Sequence, residues 1–421
     1  MAKILIYDLK TEGHHIEYLH HLYVGAISSF RPDTSSSPSF RPDTSSSPSF
    51  RPDTSSSPSF RPDTSSSPSF RPERSGVEKS PSNNECVFVV GKDFTTRSAD
   101  FQWDKSENIR FIYLENEEGE GGILKKSWRM NRQLRKVVKA EKPDKIFLNT
   151  LMNFMPFLPC SVGKSKVSGI IYSIYLHDLA SASVFGKLSN KLKYRLLSRN
   201  KSIENIFILN DKDSVEKLNE IWKTDKFKYL TDPYIPFENA SIHNLRGELG
   251  IAEDKQIIAH IGYLEERKGT LEVLDMIGKT PIEDRKKYCI IFAGRIDDDI
   301  KNEFFKKVEL LKDSIQIVTK IGFMLYDFMG SLVFTADKVV LPYKIVNASS
   351  GIIGYCAQFK TPVYVPAKGL IGKLVEDYNI GVAVDKFNSI NDLQDIDING
   401  CNYCESHTVE AFIDDIFKKL S

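Results

Sequence analysis

Short apolar segments alternate with charged, helix-periodic segments along most of the chain, and this alternation restricts the fold more than any other feature. The first series of apolar segments comprises 3–7, 87–91, 110–114, 145–149, 169–176 and 205–210. The second series comprises 256–261, 288–293, 315–318, 338–341 and 362–365. Short, buried strands separated by helices are typical of parallel sheets covered on both faces. Each series therefore predicts a doubly wound α/β domain.

The length of the chain agrees with two domains, because 421 residues exceed what one hydrophobic core usually supports. A connector with two prolines, Asp232-Pro-Tyr-Ile-Pro-Phe237, separates the two series. We predict an N-terminal Rossmann-like domain of residues 1–28 and 83–235 and a C-terminal one of residues 236–421. Ligands of such sheets bind beyond the carboxyl ends of the strands, so the domains should face a central cleft with a hinge near 230–245.

A perfect decapeptide repeat interrupts the first series. The unit SFRPDTSSSP at 29–38 recurs at 39–48, 49–58 and 59–68. Two prolines per unit and Ser-rich filler cannot build a helix or a sheet ladder, so 29–82 is predicted to be a disordered or polyproline-like insert. One interpretation is a multivalent docking tract. The favoured interpretation is an in-frame expansion tolerated in a surface loop, where extra length costs little closure entropy.

Charge and hydropathy exclude several classes of protein. The chain has 57 Lys and Arg against 56 Asp and Glu, a net charge of +1, so nothing favours nucleic acid as a partner. The N-terminal sequence MAKILIYD contains no signal-peptide core. No later segment approaches the roughly 20 apolar residues of a membrane-spanning helix. We therefore expect a cytoplasmic protein.

No metal site is predicted. Most of the six cysteines lie in apolar segments, which favours reduced, buried thiols. Cys401 and Cys404 form a CxxC motif without the second ligand pair that a zinc site needs. The acidic run Asp297-Asp-Asp299 is expected to be a solvated loop.

Polar motifs follow the strands of the second series. The first strand leads into Glu265-Glu-Arg-Lys-Gly269, where a basic pair and a glycine at a strand-to-helix turn suit a phosphate group. The next strand ends in Gly294-Arg295. Farther along, Asn347-Ala-Ser-Ser-Gly351 opens an apolar helix. Small hydroxyl residues there serve as an N-cap or as phosphate donors, and the residues alone do not decide between these roles.

These motifs are followed or interrupted by three others, Leu341-Pro-Tyr343, Thr361-Pro-Val363 and Gly369-Leu-Ile-Gly372. As an ordered set, the motifs resemble the C-terminal domain of family 4-like glycosyltransferases, which have the GT-B fold. The resemblance covers about 245–420. In the N-terminal half, Gly13-His14-His15 resembles the glycine loop of that family, and Ile174-Tyr-Leu-His177 resembles its strand-end histidine motif.

The resemblance implies a nucleotide-diphosphate sugar as donor substrate, retention of the anomeric configuration, no separate cofactor and no DxD-bound metal. It implies roles for three groups of residues: catalytic His177, Arg267 and Lys268; diphosphate-binding Gly13, Ser349, Ser350 and Gly351; and nucleotide- or sugar-binding Gly262, Gly294, Arg295, Gly322, Phe323, Asn347 and Tyr355.

The sequence also departs from the family pattern. Many members carry a Glu-x7-Glu pair at the helix that follows the Ser-Ser-Gly motif, whereas Asn347 and Tyr355 stand at those positions here. Recognition of ribose and sugar through carboxylates is therefore expected to be altered. Many members also have Arg directly after the first strand glycine, where Tyr263 follows Gly262 in this chain. Arg267 is a candidate to supply that charge.

Two basic segments, 125–136 and 187–195, are predicted to be helices that either lie on an anionic membrane surface or present a solvated face. The first favours a solvated face and the second favours peripheral membrane contact. The family resemblance implies a glycan or lipid-linked acceptor, in surface polysaccharide or glycoconjugate synthesis.

Three alternatives to a glycosyltransferase remain open at this point. The first is a GT-B-type sugar-nucleotide epimerase, which should show acid and base carboxylates of its own. The second is a catalytically silent relative that binds a nucleotide or a protein partner, which would explain Asn347 and Tyr355. The third is a scaffold built on the repeats, which gives the two Rossmann-like domains no function.

Overall fold

The computed structural model describes residues 2–11, 14–30, 84–99, 101–104, 106–116, 121–172, 184–237 and 241–420, with only the backbone described for His14, Phe30 and 184–190. The repeats from residue 31 onward lie outside the described residues, and so do Gly13 and His177.

The first half of the described chain forms a sheet of seven parallel strands. The strands are β1 (Lys3–Asp8), β2 (Glu85–Gly91), β3 (Ile109–Leu114), β4 (Lys145–Leu148), β5 (Lys166–Ile171), β6 (Ile203–Leu209) and β7 (Phe227–Leu230). Their order is β3-β2-β1-β4-β5-β6-β7, so the direction of winding reverses between β1 and β4. Alternate residues of β1 enter different cores, Leu5 and Tyr7 on one face and Ile4 and Ile6 on the other. Burial on both faces explains why these strands are continuously apolar.

Helices cover both faces of this sheet. They are α1 (His14–Phe30), α2 (Phe94–Arg97), α3 (Ile123–Glu141), α4 (Val184–Arg199) and α5 (Lys212–Trp222). Helix α3 is amphipathic, because Leu134, Val137 and Val138 are buried while most of its basic residues face solvent. Helix α5 begins after Asp211, whose carboxylate accepts a hydrogen bond from the Ser214 amide at 2.9 Å.

The second half repeats the architecture with six parallel strands in the order β10-β9-β8-β11-β12-β13. The strands are β8 (Gln256–Ile261), β9 (Tyr288–Gly294), β10 (Gln316–Ile321), β11 (Lys338–Val340), β12 (Val363–Pro366) and β13 (Gly381–Val384). The helices are α6 (Thr270–Lys279), α7 (Ile282–Arg285), α8 (Asp298–Leu311), α9 (Tyr326–Thr335), α10 (Gly351–Phe359), α11 (Gly369–Asp377) and α12 (Cys401–Ser406). Two Rossmann-like, doubly wound sheets were predicted and are confirmed.

Three details differ from the sequence-based expectations. Strands β7 and β13 were not predicted, because each is an edge strand of only four residues. The acidic run at 297–299 is not a solvated loop. Asp297 caps α8, and its carboxylate accepts a hydrogen bond from the Asp299 amide at 3.0 Å. Acidic side chains are favourable at that end of a helix.

The last helix, α13 (Val409–Leu420), packs on the first sheet although it follows the second in sequence. Phe412, Ile416, Phe417 and Leu420 share a core with β1 and α1. The main-chain carbonyl of Leu420 accepts a hydrogen bond from Lys145 Nζ at 2.5 Å. By packing, the first domain therefore includes α13, whereas the sequence boundary placed all of 236–421 in the second.

No helix in the described ranges is long and apolar enough to cross a membrane.

Truncation of the fully buried Phe412 to alanine should destabilise the first domain. The expected cost is about 3–5 kcal/mol, because the change removes a buried ring and leaves a cavity. All three tryptophans, Trp103, Trp128 and Trp222, lie in that domain, so urea unfolding followed by tryptophan fluorescence measures it. Exposed Glu410 on the same helix is the control, and Glu410→Ala should cost less than about 1 kcal/mol. An unchanged fluorescence transition in Phe412→Ala would contradict the assignment of α13 to the first domain.

Candidate functional site

Three glycines end adjacent strands at the carboxyl edge of the second sheet. Gly262, Gly294 and Gly322 follow or end β8, β9 and β10 with φ of 119°, 141° and 145°. The Gly322 amide donates to the Gly294 carbonyl at 3.0 Å. A Cβ on Gly294 would lie 1.7 Å from the Gly262 carbonyl oxygen. The edge is therefore bare backbone, which a ligand can approach closely.

Lys268 extends over this edge from the turn after β8. The turn Glu266–Lys268 ends at Gly269, which has φ of 72° and approaches Pro342 so closely that a Cβ would lie 2.1 Å from its carbonyl oxygen. The ammonium of Lys268 lies 5.2 Å from the centre of the Tyr343 ring and would be 3.4 Å from a Cβ on Gly262. It forms no ion pair with a carboxylate of the described residues. Its charge is available to an anion.

The neighbouring cations are already paired. The guanidinium of Arg267 forms an ion pair with Glu265. Lys344 forms ion pairs with Glu266 and Glu272. Arg267 was a candidate for the charge that many family members place directly after the strand glycine. In this structure that charge is shared with Glu265.

His260 lies buried beneath the Lys268 turn and joins three elements. Its Nδ1 is 2.9 Å from the Val340 carbonyl, and its Nε2 is 3.1 Å from Thr270 Oγ1. Burial lowers the pKa of His260 to about 4, and the positive charge of Lys268 contributes to the lowering. The imidazole is therefore neutral at neutral pH and supports β8, β11 and the start of α6.

Helix α10 begins next to this edge, as the Ser-Ser-Gly motif predicted. Ser350 is the N-cap residue, and its hydroxyl is 3.1 Å from the Tyr343 hydroxyl. Asn347 is buried just before it. Tyr343 contacts both Lys268 and Ser350 and so joins the two predicted phosphate-binding motifs.

The Ser349 hydroxyl is not directed at an empty anion site, because it donates a hydrogen bond to the carboxylate of Asp232. Asp232 lies at the start of the connector between the domains. Its second carboxylate oxygen accepts a hydrogen bond from the Tyr18 hydroxyl on α1. Burial and the charge of Asp232 raise the pKa of Tyr18 well above its usual value. One carboxylate thus links α1 of the first domain to the start of α10 in the second.

The remaining predicted residues fall into two environments. Arg295 and Phe323 lie at the exposed rim, with the guanidinium 5.3 Å from the ring centre. Tyr355 is buried among aromatic residues, hydrogen-bonded to the Tyr326 hydroxyl and 4.6 Å from the Phe237 ring centre. It supplies no carboxylate and contacts the hinge. The roles predicted for His177 and Gly13 stay predictions, since both residues lie outside the described ranges.

A second polar cluster, which the sequence did not predict, lies at the carboxyl edge of the first sheet. Asp8 ends β1, and its carboxylate contacts His15 Nδ1 at 2.6 Å and Asn149 Nδ2 at 2.5 Å. The Asn149 side-chain oxygen accepts a hydrogen bond from Tyr172 at 3.1 Å. Asp8 and Asn149 follow β1 and β4, the two strands at which the winding reverses. The sequence signals were the Gly13-His14-His15 motif, which contains His15, and a polar residue at the end of each of the two apolar segments.

The two carboxyl edges thus carry complementary groups, with a lysine and a helix start on the second sheet and a polar cluster on the first. Comparison with solved structures identifies the architecture. The structure of Anabaena Alr3699/HepE in complex with UDP and glucose matches with a TM-score of 0.61 at 14% identity, over 100% of this chain and 99% of that one. The fold is GT-B.

Two further solved structures support this assignment. Sucrose-phosphate synthase from Thermosynechococcus elongatus matches with a TM-score of 0.63 at 11% identity, over 100% of this chain and 99% of that chain. WaaG, a glycosyltransferase involved in lipopolysaccharide biosynthesis, matches with a TM-score of 0.56 at 11% identity, over 99% of this chain and 92% of that chain. No protein-family model matches the sequence, and no curated protein matches it. The family 4-like resemblance therefore stays a prediction, while the GT-B fold is confirmed.

The buried imidazole of His260 should make the second domain sensitive to acid. The unfolded chain binds a proton near pH 6.5 and the folded state only near pH 4, so stability is full above pH 6.5 and falls as the pH drops toward 4. The shift corresponds to roughly 3 kcal/mol. The second domain contains no tryptophan, so its urea transition is seen by far-UV circular dichroism and not by tryptophan fluorescence. His260→Gln should reduce the pH dependence of that transition. Because His407 shows a similar lowering, part of the dependence should remain. Exposed His243 gives the control, and an equal effect of His243→Gln would contradict the prediction.

Proposed function

We propose that the protein is a glycosyltransferase of the hexosyltransferase class that moves a sugar from a nucleotide-diphosphate sugar to a glycan or lipid-linked acceptor. One observation carries the proposal: the ammonium of Lys268 has no carboxylate partner among the described residues and lies over strand-end glycines beside the start of α10. A cation, bare backbone and a helix N-terminus together suit a diphosphate. The GT-B fold is consistent with a donor bound at this edge.

Departure of the nucleoside diphosphate is the step that these residues would assist. As the bond from the sugar carbon to the phosphate oxygen breaks, negative charge accumulates on the diphosphate. Preorganised donors that meet this charge lower the barrier. We assign Lys268 and the amides at Gly351 to that role, with Ser349 and Ser350 as hydroxyl donors and Arg267 as a second cation once it leaves Glu265. Retention of configuration, with no metal and no cofactor, is the outcome we propose from the family resemblance.

The nucleoside would extend along the glycine edge toward the rim. Gly262, Gly294 and Gly322 allow close backbone approach, and the exposed pair of Arg295 and Phe323 offers a planar surface for a base. Asn347 lies next to the helix start, where an amide would bind a sugar hydroxyl. His177 and Gly13 are proposed on the family motifs alone, as a residue near the transferred sugar and as part of a diphosphate-facing loop.

The acceptor would approach from the first domain, and we propose that it is a surface glycan or its lipid-linked precursor, built at the cytoplasmic face of the membrane. Helix α3 exposes Ile123, Leu124 and Trp128 beside its basic residues, and α4 exposes Leu192 and Leu196. Exposed apolar side chains among cations favour contact with an anionic lipid surface. Co-sedimentation with vesicles of anionic lipid tests this part of the proposal.

A catalytically silent relative remains the second candidate, and one observation favours it. Tyr355 stands where many family members carry a glutamate, and its hydroxyl is occupied by Tyr326 in an aromatic cluster at the hinge. A chain that kept nucleotide binding but lost sugar recognition would look like this. Such a protein would bind UDP or another nucleoside diphosphate but release no sugar from any donor.

Replacement of Lys268 by alanine should lower transfer roughly 10²–10³-fold, the usual effect of removing one donor to a developing negative charge. Mass spectrometry across common nucleotide sugars first identifies the donor by its hydrolysis or transfer. Exposed Lys279, on the helix that follows the same turn, is the matched control, and Lys279→Ala should keep wild-type rates. Normal transfer by Lys268→Ala would rule out the proposed role of Lys268 in binding the departing diphosphate. Nucleotide binding without turnover of any donor would establish the silent relative instead.

Removal of the Asp232 charge should tighten nucleoside diphosphate binding, because its carboxylate now occupies the hydroxyl at the start of α10 and repels an incoming anion. We expect UDP to bind Asp232→Asn about tenfold more tightly, a difference of about 1.4 kcal/mol by titration calorimetry. Asp213, which pairs with Lys373 across the two domains, gives the control. If Asp213→Asn tightens UDP binding equally, the cause is a weaker contact between the two domains and not the loss of the Asp232 charge. Weaker UDP binding by Asp232→Asn would contradict the proposal that this carboxylate repels the diphosphate.

A further inference from the structure

The chain passes between the two domains twice, and the two passages lie side by side. The connector begins at Asp232, after the last strand of the first sheet, and the chain returns after His407, just before α13 begins at Val409. The Tyr234 amide donates to the His407 carbonyl at 3.2 Å and so joins the two passages. Tyr234 also packs on α10, where a Cβ on Gly354 would lie 2.8 Å from the Tyr234 Cβ. These contacts fasten the connector to the second domain.

A pair of cysteines lies beside the two passages. Cys401 and Cys404 are the first and fourth residues of α12, so they lie one turn apart on the same side of the helix. Cys401 is exposed to solvent and Cys404 is half-buried. The Tyr234 hydroxyl of the connector donates a hydrogen bond to the Cys404 sulfur. One thiol of the pair is therefore open to a reagent in solution, and the other contacts the connector.

Packing and metal binding do not account for this pair. Tyr403, which stands between the two cysteines in sequence, anchors α12, because its buried ring stacks on His407 at 3.8 Å and lies 5.2 Å from the centre of the Tyr378 ring. The described residues contain no group of three His, Cys, Asp or Glu side chains that could hold a metal ion. The exposed thiol of Cys401 serves neither purpose, yet it lies one helical turn from a second thiol.

We propose that Cys401 and Cys404 form a reversible disulfide, and that its formation loosens the connector between the domains. The oxidant is a low-molecular-weight disulfide. The Cys401 thiolate attacks one sulfur of that disulfide and releases the other as a thiol. The Cys404 thiolate then attacks the Cys401 sulfur, and the second thiol leaves. The two cysteines lose two electrons and two protons, which the oxidant gains as it becomes two thiols.

The surroundings of the two thiols favour this order of reaction. Cys401 is exposed, so an external disulfide can reach it first. Burial raises the pKa of the Cys404 thiol, while the hydrogen bond from Tyr234 acts in the opposite direction. Cys404 is therefore the less accessible thiol and the one suited to resolve a mixed disulfide on its neighbour.

Closure of the disulfide has to displace the Cys404 sulfur. Residues three apart on a helix have Cβ atoms about 5–6 Å apart, whereas a disulfide needs about 3.5–4.5 Å. The first turn of α12 must tighten, and it cannot do so by moving toward α10, because a Cβ on Gly400 would already lie 2.6 Å from the Ala357 Cβ. Cys404 would thus turn toward Cys401 and lose its hydrogen bond with Tyr234. An exposed disulfide that strains its helix is also readily reduced, as a reversible one must be.

The first test incubates the full-length protein in glutathione buffers of graded oxidation, blocks the free thiols with iodoacetamide and maps the peptides by mass spectrometry. A bond between Cys401 and Cys404 should form and disappear again on reduction. Cys401→Ser and Cys404→Ser should each abolish it. Cys160, the other exposed cysteine of the described ranges, gives the matched control, and Cys160→Ser should form the bond as wild type does.

The second test follows amide hydrogen exchange of the peptide that contains Tyr234, in the reduced and the oxidised protein. Oxidation should speed this exchange roughly 2–10-fold, the effect of one lost hydrogen bond on local opening. Tyr234→Phe should show the faster exchange already when reduced, and oxidation should then add little. Exposed Tyr113 on β3 is the control, and Tyr113→Phe should respond to oxidation as wild type does.

Each result supports or overturns the inference, and neither test depends on the reaction that the cleft catalyses. If no disulfide forms at any glutathione ratio, or if Cys401 stops at a mixed disulfide with glutathione, the pair is not a redox site. A disulfide that leaves exchange at Tyr234 unchanged would overturn its link to the connector. Faster exchange in oxidised Cys401→Ser would trace the loosening to a different oxidation and would also overturn that link.

Discussion

In both sheets every strand is parallel to its neighbours and the central strands are buried on both faces, so the backbone and polar side chains of those strands can meet a ligand only where the strands end. This constraint places Asp8 and Asn149 at one edge, and Gly262, Gly294 and Gly322 at another. The chemistry of the molecule is therefore concentrated in the loops that follow the strands, and the arrangement of those loops decides which groups face one another.

Asp232 connects the two edges with a single side chain. A carboxylate between a tyrosine of one domain and a helix start of the other has two consequences. It fixes the relation of α1 to α10, and it places a negative charge where a diphosphate is proposed to bind. Lys268 supplies the opposite charge, and it contacts Tyr343, whose hydroxyl lies beside the same helix start. The net charge near the start of α10 therefore depends on whether it binds the Asp232 carboxylate or a diphosphate.

Much of this structure could be predicted from the sequence, because its signals are local. The segment QIIAHI became β8, and the Ser-Ser-Gly motif did open α10. The ion pair of Arg267 could not be foreseen, since two glutamates, Glu265 and Glu266, precede it and only the folded turn decides which of them it contacts. The Asp8 cluster depends on Asn149, 141 residues away, and the contact between Asp232 and Ser349 spans 117 residues. Contacts between residues so far apart in sequence depend on the order of the strands in the sheet. A single sequence predicts the strands but not their order.

The return of α13 to the first sheet has a consequence for the order of events during synthesis. Phe412 and Leu420 complete the core that contains Ile4 and Tyr18, yet they are translated after every strand of the second sheet. The second domain has all its strands available while the first still lacks a helix. A domain that begins synthesis first is thus finished last, and until α13 docks, α1 exposes apolar surface that a chaperone would recognise.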